Sequence, residues 1–124
     1  MCTKSILLID DEPRLASVIA VCLESFKKWK VQMANSGEEG LNMLASDHPD
    51  AILLDIMMPA MDGLAVFQKL QENPDTRDIP VILLTAKVQT SDRQRFAQLG
   101  VAGLIAKPFE PLKLADQVAE IVGW

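Results

Sequence analysis

Four short apolar runs in this chain each stop at a polar side chain with chemical use, and that pattern restricts the fold most. Ser5-Ile6-Leu7-Leu8-Ile9 ends at Asp10-Asp11, and Ala51-Ile52-Leu53-Leu54 ends at Asp55. Val81-Ile82-Leu83-Leu84 ends at Thr85, and Leu104-Ile105-Ala106 ends at Lys107, followed by Pro108. Continuous runs rich in Ile, Leu and Val read as strands covered on both faces, hence as parallel strands. Parallel strands point one way, so all four polar ends fall along one edge. Open parallel sheets bind ligands at that carboxyl edge. Three carboxylates, a hydroxyl and an ammonium are therefore expected to converge on one site.

Strand and helix patterns alternate along the whole chain, the mark of βα units around a parallel sheet. A first helix opens at Pro13, a residue suited to a first turn, and its predicted apolar stripe is Leu15, Val18, Ile19, Cys22, Leu23 and Phe26. Lys30 to Ala34 is a short strand. Ser36 and Glu39 have capping-box spacing for a second helix, with Leu41, Leu44 and Ala45 inward. The third helix carries Leu64, Phe67 and Leu70, and Asn73 to Pro80 is a polar connection. Thr90 or Ser91 caps a fourth helix with Phe96, Ala97 and Leu99 inward, which Gly100 terminates in a left-handed conformation. Pro111 opens a fifth, with Leu114, Val118, Ile121 and Val122 inward. The expectation is an α/β fold: a doubly wound, five-stranded parallel sheet with five helices. Five strands fit the flavodoxin-like order 2-1-3-4-5. Strands one and three are then neighbours roughly 4.8 Å apart, which puts Asp10, Asp11 and Asp55 within reach of one ion.

A length of 124 residues suits a single domain over 1–124, large enough to fold without a disulfide or metal. The net charge of -5 argues against direct contact with a nucleic-acid backbone, which needs a basic face. It favours protein partners or a bound cation. Cys2 and Cys22 make no disulfide framework, and Cys22 lies on an apolar stripe, so a reducing, cytoplasmic setting fits. No run approaches the ~20 apolar residues of a membrane span, and no secretory leader pattern opens the chain.

Three adjacent carboxylates repel one another, and a hard divalent cation relieves that repulsion. Mg²⁺ takes oxygen ligands and pairs one or two carboxylates with phosphate oxygens. Zinc is disfavoured because His48, the sole histidine, falls in a turn elsewhere. Helix capping alone does not account for Asp10-Asp11, since one capping residue suffices. Asp55 can act as a nucleophile toward phosphorus, a reaction governed by positioning and cations. Lys107 would add positive charge, and Thr85 could hydrogen-bond a phosphoryl oxygen. Singly, Lys107 reads as a solvated lysine and Thr85 as a strand end. Jointly, four strands ending in complementary groups point to a site.

These residues resemble the receiver domain of two-component response regulators, the group that includes the chemotaxis regulator. The likeness covers essentially the whole chain: Asp10-Asp11, Asp55, Met58-Pro59-Ala60-Met61-Asp62-Gly63, Thr85-Ala86 and Lys107-Pro108-Phe109, in order. The chemotaxis regulator itself exemplifies the 2-1-3-4-5 order, so strand order and resemblance are one line of reasoning. The resemblance implies that Asp55 accepts a phosphoryl group from a histidine kinase or phosphotransfer protein. It implies Mg²⁺ held by Asp11 and Asp55, by Asp10 through water, and by the backbone carbonyl of Met57. Thr85 would sense the phosphoryl group, Lys107 would pair with it, and a protein-binding face would switch toward a downstream target. Such a domain catalyses only its own phosphorylation and dephosphorylation.

Two positions depart from common family patterns. Leu104 stands where many receivers carry Tyr or Phe, so an aromatic swing at strand five is not available. Output then relies on backbone movement near Thr85 to Val88. Met57 stands where polar residues are frequent, and its side chain cannot orient an attacking water as an amide can. A flavin or nucleotide binder would need an amide-rich loop where this chain has Asp11-Glu12-Pro13. A haloacid-type phosphatase would need Asp at position 57. The remaining alternative is a phosphate-independent receiver-like interaction module.

Overall fold

The computed structural model describes residues 4–27, 29–46, 48–55, 63–85, 94, 98, 100–106 and 111–124. The elements are β1 (Ser5–Ile9), α1 (Pro13–Lys27), β2 (Lys30–Ala34), α2 (Gly37–Leu44), β3 (Ala51–Asp55), α3 (Gly63–Glu72), β4 (Val81–Thr85), β5 (Gly103–Ala106) and α4 (Pro111–Val122). Every strand pairing is parallel, in the order β2-β1-β3-β4-β5. The expected fold class and strand order are both present. Asp55 and Thr85 are the last residues of their strands rather than the first beyond them. Of the helix expected between Thr90 and Gly100, only Gln94 and Gln98 are described, both helical and exposed. Its N-cap candidates Thr90 and Ser91 and its inward residues Phe96, Ala97 and Leu99 lie outside the described residues. Among the described residues there are therefore four helices, and α4 is the one expected as the fifth.

Alternate residues of a strand point to opposite faces, and here both faces are covered. Ile6, Leu8, Leu53, Ile82, Leu84 and Ile105 pack with Ala16, Ile19 and Leu23 of α1 and with Leu114, Ala115 and Val118 of α4. Leu7, Ile9, Ile52, Leu54, Val81 and Leu83 pack with Leu44 of α2 and with Val66, Phe67 and Leu70 of α3. All five residues of β3 and all five of β4 are buried. This double burial is why those segments read as unbroken apolar runs rather than alternating ones.

Two inward assignments are corrected. Val18 is 45% exposed, because the buried arc of α1 centres on Ala16, Ile19, Ala20 and Leu23. Ala45 is exposed because α2 ends at Leu44 and Ala45 is its C-cap. The side chain of Ser36 accepts a hydrogen bond from the Glu39 amide at 3.1 Å, one arm of the expected capping box. Ser36→Ala is expected to cost about 1 kcal/mol, read as a lower urea midpoint at unchanged slope. Gly100 has φ 92°, the expected left-handed terminator. Cys22 is buried, as expected, whereas Cys2 lies outside the described residues.

Both tryptophans seal the end of the molecule opposite the acidic edge. Trp29 and Trp124 meet edge to face, with centroids 5.0 Å apart and planes at 75°. The Trp124 amide donates to the Ala119 carbonyl at 2.9 Å, folding the chain end back over α4. Lys4 Nζ lies 5.4 Å from the Trp124 ring centroid, in cation–π range. Among the described residues, no helix is long and apolar enough to cross a membrane.

Candidate functional site

The sheet register assembles the site. Ile9 pairs with Leu54, so the next step along β1 brings Asp10 level with Asp55. Asp55 pairs with Leu84, so Thr85 lies one row further out on the adjoining strand. Thr85 pairs with Ala106, the residue before Lys107 in sequence. Three strand ends thus bring two carboxylates and a hydroxyl to neighbouring positions. Lys107 and Met57 lie outside the described residues, as do Met58 to Asp62, Ala86, Pro108 and Phe109.

One carboxylate oxygen from each of Asp10, Asp11 and Asp55 lies within 4.8 Å of the others. Asp10 is 0% exposed and Asp55 is 3% exposed, whereas Asp11 is half-buried. The Asp10 backbone is fixed by its amide, which donates to the Ala34 carbonyl at 3.0 Å. Asp10 Oδ1 accepts from the Glu12 amide at 2.9 Å, a two-residue turn that leads the chain into α1. The Glu12 carbonyl then accepts the first helical bond, from the Ala16 amide at 3.0 Å. Capping thus explains one oxygen of Asp10 but neither Asp11 nor the burial of Asp55. Thr85 is fully buried at the strand end.

The donor set fits a hard cation. It consists of carboxylate oxygens alone, two of the three residues are shielded from water, and the spacing suits one small ion. Octahedral Mg²⁺ with bonds of about 2.0–2.1 Å places neighbouring ligands about 3 Å apart and opposite ones about 4 Å apart. The three carboxylate oxygens lie within 4.8 Å of one another, on the scale of that geometry. His48 lies elsewhere: with Ser5, Lys30, Gln32 and Pro49 it lines a cavity of about 90 Å³. Ser5 and Lys30 begin their strands, so that cavity opens at the opposite edge of the sheet.

The sequence profile of the response regulator receiver domain matches residues 6–119. The chain belongs to the response regulator receiver family. This receiver is 37% identical over 118 residues to the response regulator Rre1 of Synechocystis, covering 95% of the chain and 51% of that relative. The chain thus spans about half the length of the curated relatives it matches. Among solved structures, the signal receiver domain of a Syntrophus aciditrophicus histidine kinase superposes with a TM-score of 0.84 at 33% identity, covering 98% of this chain and 91% of that one. The receiver domain of a Pseudomonas aeruginosa sensor histidine kinase superposes with a TM-score of 0.85 at 28% identity, covering 99% and 100%. That structure holds a magnesium ion coordinated in its active-site cleft.

Within this receiver, Leu104 is half-buried and packs against the cluster under α2 and α3. No motif in the sequence marks what packs against Ile9, the residue before Asp10. Gly40 of α2 is buried against Ile9 and Ala34. A glycine in the middle of a helix was the available signal, since it costs helix stability and so calls for a packing reason.

Proposed function

We propose that Asp55 accepts a phosphoryl group from the phosphohistidine of a sensor histidine kinase or a phosphotransfer protein, in a Mg²⁺-dependent reaction. The observation that carries this reading is the approach of the Asp10, Asp11 and Asp55 oxygens to within 4.8 Å at the carboxyl edge, one row from Thr85. A carboxylate oxygen of Asp55 forms the new bond to phosphorus. The phosphorus–nitrogen bond to the donor imidazole breaks, its electron pair stays on that nitrogen, and the nitrogen takes a proton from solvent. Asp11 and Asp55 would hold Mg²⁺ directly, with Asp10 contributing through water and residue 57 through its carbonyl. When bound, the ion neutralises charge on the phosphoryl oxygens. Thr85 donates its hydroxyl to a phosphoryl oxygen, and Lys107 supplies the second positive charge.

Phosphorylation converts a carboxylate into a group of about -2 charge with three strong acceptor oxygens. Movement of Thr85 and Lys107 toward those oxygens draws on the segments after β4 and β5. With Leu104 in β5, that movement is carried by the backbone near Thr85 to Val88 rather than by an aromatic side chain. Turning a mostly inactive population into a mostly active one needs roughly 5.5 kcal/mol of preference for one state. The chain acts as one unit over residues 1–124, in the cytoplasm. It catalyses only its own phosphorylation and dephosphorylation, and its output is a reversible contact with a downstream protein. The test is incubation with acetyl phosphate, with and without EDTA, followed by intact-mass measurement. A mass gain of one phosphoryl group that disappears with EDTA is expected. No gain by folded protein in Mg²⁺ would instead fit a phosphate-independent interaction module.

A further inference from the structure

We infer that Gly40 is a positioning residue for the ion site, acting through Ile9 and Ala34 on the backbone of Asp10. The inference rests on the reading of the carboxylate cluster as that site. Asp10 is held from two sides. Ile9 precedes it on β1, and Ala34 of β2 accepts its amide hydrogen bond at 3.0 Å. Both neighbours sit under Gly40. A Cβ built there would lie 2.6 Å from Ile9 Cδ1, 2.8 Å from Ile9 Cγ1 and 3.6 Å from Ala34 Cβ.

Ile9 and Ala34 are both 0% exposed. Ile9 belongs to the packed cluster between the sheet and α2–α3, so a turn of its side chain displaces other buried side chains. An added methyl must therefore push α2 outward or push Ile9 along the sheet. The second movement carries Asp10 with it. The absence of a side chain at position 40 lets α2 press the end of β1 into the register that aligns Asp10 with Asp55. Ordinary helix chemistry gives no reason for this residue, because Ala in place of Gly favours an isolated helix by about 1 kcal/mol.

The test compares wild type, Gly40→Ala, Ile9→Val and the double variant by Mg²⁺ titration calorimetry without a phosphodonor. The Asp10 amide shift and its hydrogen exchange are followed by NMR. Val118→Ala, on the other face of the sheet, controls for general loss of stability, and Asp11→Asn controls for the ion site itself. Gly40→Ala is expected to weaken Mg²⁺ about tenfold, the scale seen when a ligand's support is disturbed, and to shift the Asp10 amide. The double variant removes Ile9 Cδ1 and leaves the remaining γ-carbon of the shorter side chain free to move off its 2.8 Å contact, and is expected to recover to within about threefold of wild type. Val118→Ala is expected to lower the melting temperature without moving Mg²⁺ affinity.

Unchanged affinity and an unmoved Asp10 amide in Gly40→Ala would overturn the inference while leaving the ion site intact. If Asp11→Asn binds Mg²⁺ as wild type does, the ion-site reading fails, and the Asp10 amide shift alone decides the role of Gly40. If Gly40→Ala does not fold, the double variant carries the test. Recovery of folding and affinity together supports the inference, and recovery of folding without affinity overturns it.

Discussion

Asp55→Asn is expected to abolish stable phosphoryl uptake, with a loss of at least about a thousandfold, the scale of removing a covalent nucleophile. The substitution is nearly isosteric. At 3% exposure the side chain is enclosed, so a change of shape would be felt, and Asn avoids one. What changes is the attacking group: a carboxylate shares a full negative charge between its two oxygens, and a neutral amide has none. The measurement is intact mass after acetyl phosphate and Mg²⁺, with unfolding curves confirming that the variant is folded. A mass gain that persists in Asp55→Asn would remove this residue from the role of acceptor. The position of the gain by peptide mapping would then name its replacement.

Asp10→Asn is expected to move stability in opposite directions with and without Mg²⁺. Asn keeps an oxygen for the Glu12 amide, so the turn into α1 survives. It removes one of three carboxylates whose oxygens lie within 4.8 Å of one another. Two unit charges about 4 Å apart repel by up to about 4 kcal/mol at an effective dielectric near 20. Relief of roughly half of that in EDTA would raise the melting temperature by roughly 5–10 °C for a domain of this size. Wild type should gain in turn from ion binding, about 2.7 kcal/mol at a concentration one hundred times its dissociation constant. The variant, lacking one carboxylate, should bind about tenfold more weakly and gain less. The two melting-temperature curves against Mg²⁺ should therefore converge or cross. A variant less stable than wild type in EDTA would show that repulsion among these carboxylates does not dominate the site.

The residues that carry these two predictions were legible in the sequence, because they are the ones that end the strands. A run such as Ile52-Leu53-Leu54 is too short and too uniformly apolar to sit anywhere but between two covering layers, and all five residues of β3 are buried. With parallel strands buried on both faces, the polar residue that ends each run must fall at the carboxyl edge. Asp10, Asp11, Asp55 and Thr85 do so, and the first three converge. The expected strand order is present as well.

Helix faces were less legible. On α1, Val18 and Ile19 are equally apolar, yet one is 45% exposed and the other fully buried. Hydrophobicity alone gives a stripe several residues wide. Its centre is set by which residues meet the sheet and the neighbouring helix, and here those are Ala16, Ile19 and Leu23. The Trp29–Trp124 contact joins residues ninety-five positions apart, so no local pattern announces it.

The amino-acid order by itself thus determined the layer arrangement and the chemical content of the edge, because each follows from short-range burial and chain direction, whereas the sheet order came with the family resemblance. Only tertiary packing decided which residues of α1 face the core, and that Gly40 of α2 lies against Ile9 and Ala34. Those positions are set by the fit of side-chain volumes across facing elements, a property of pairs of surfaces rather than of any one stretch of chain.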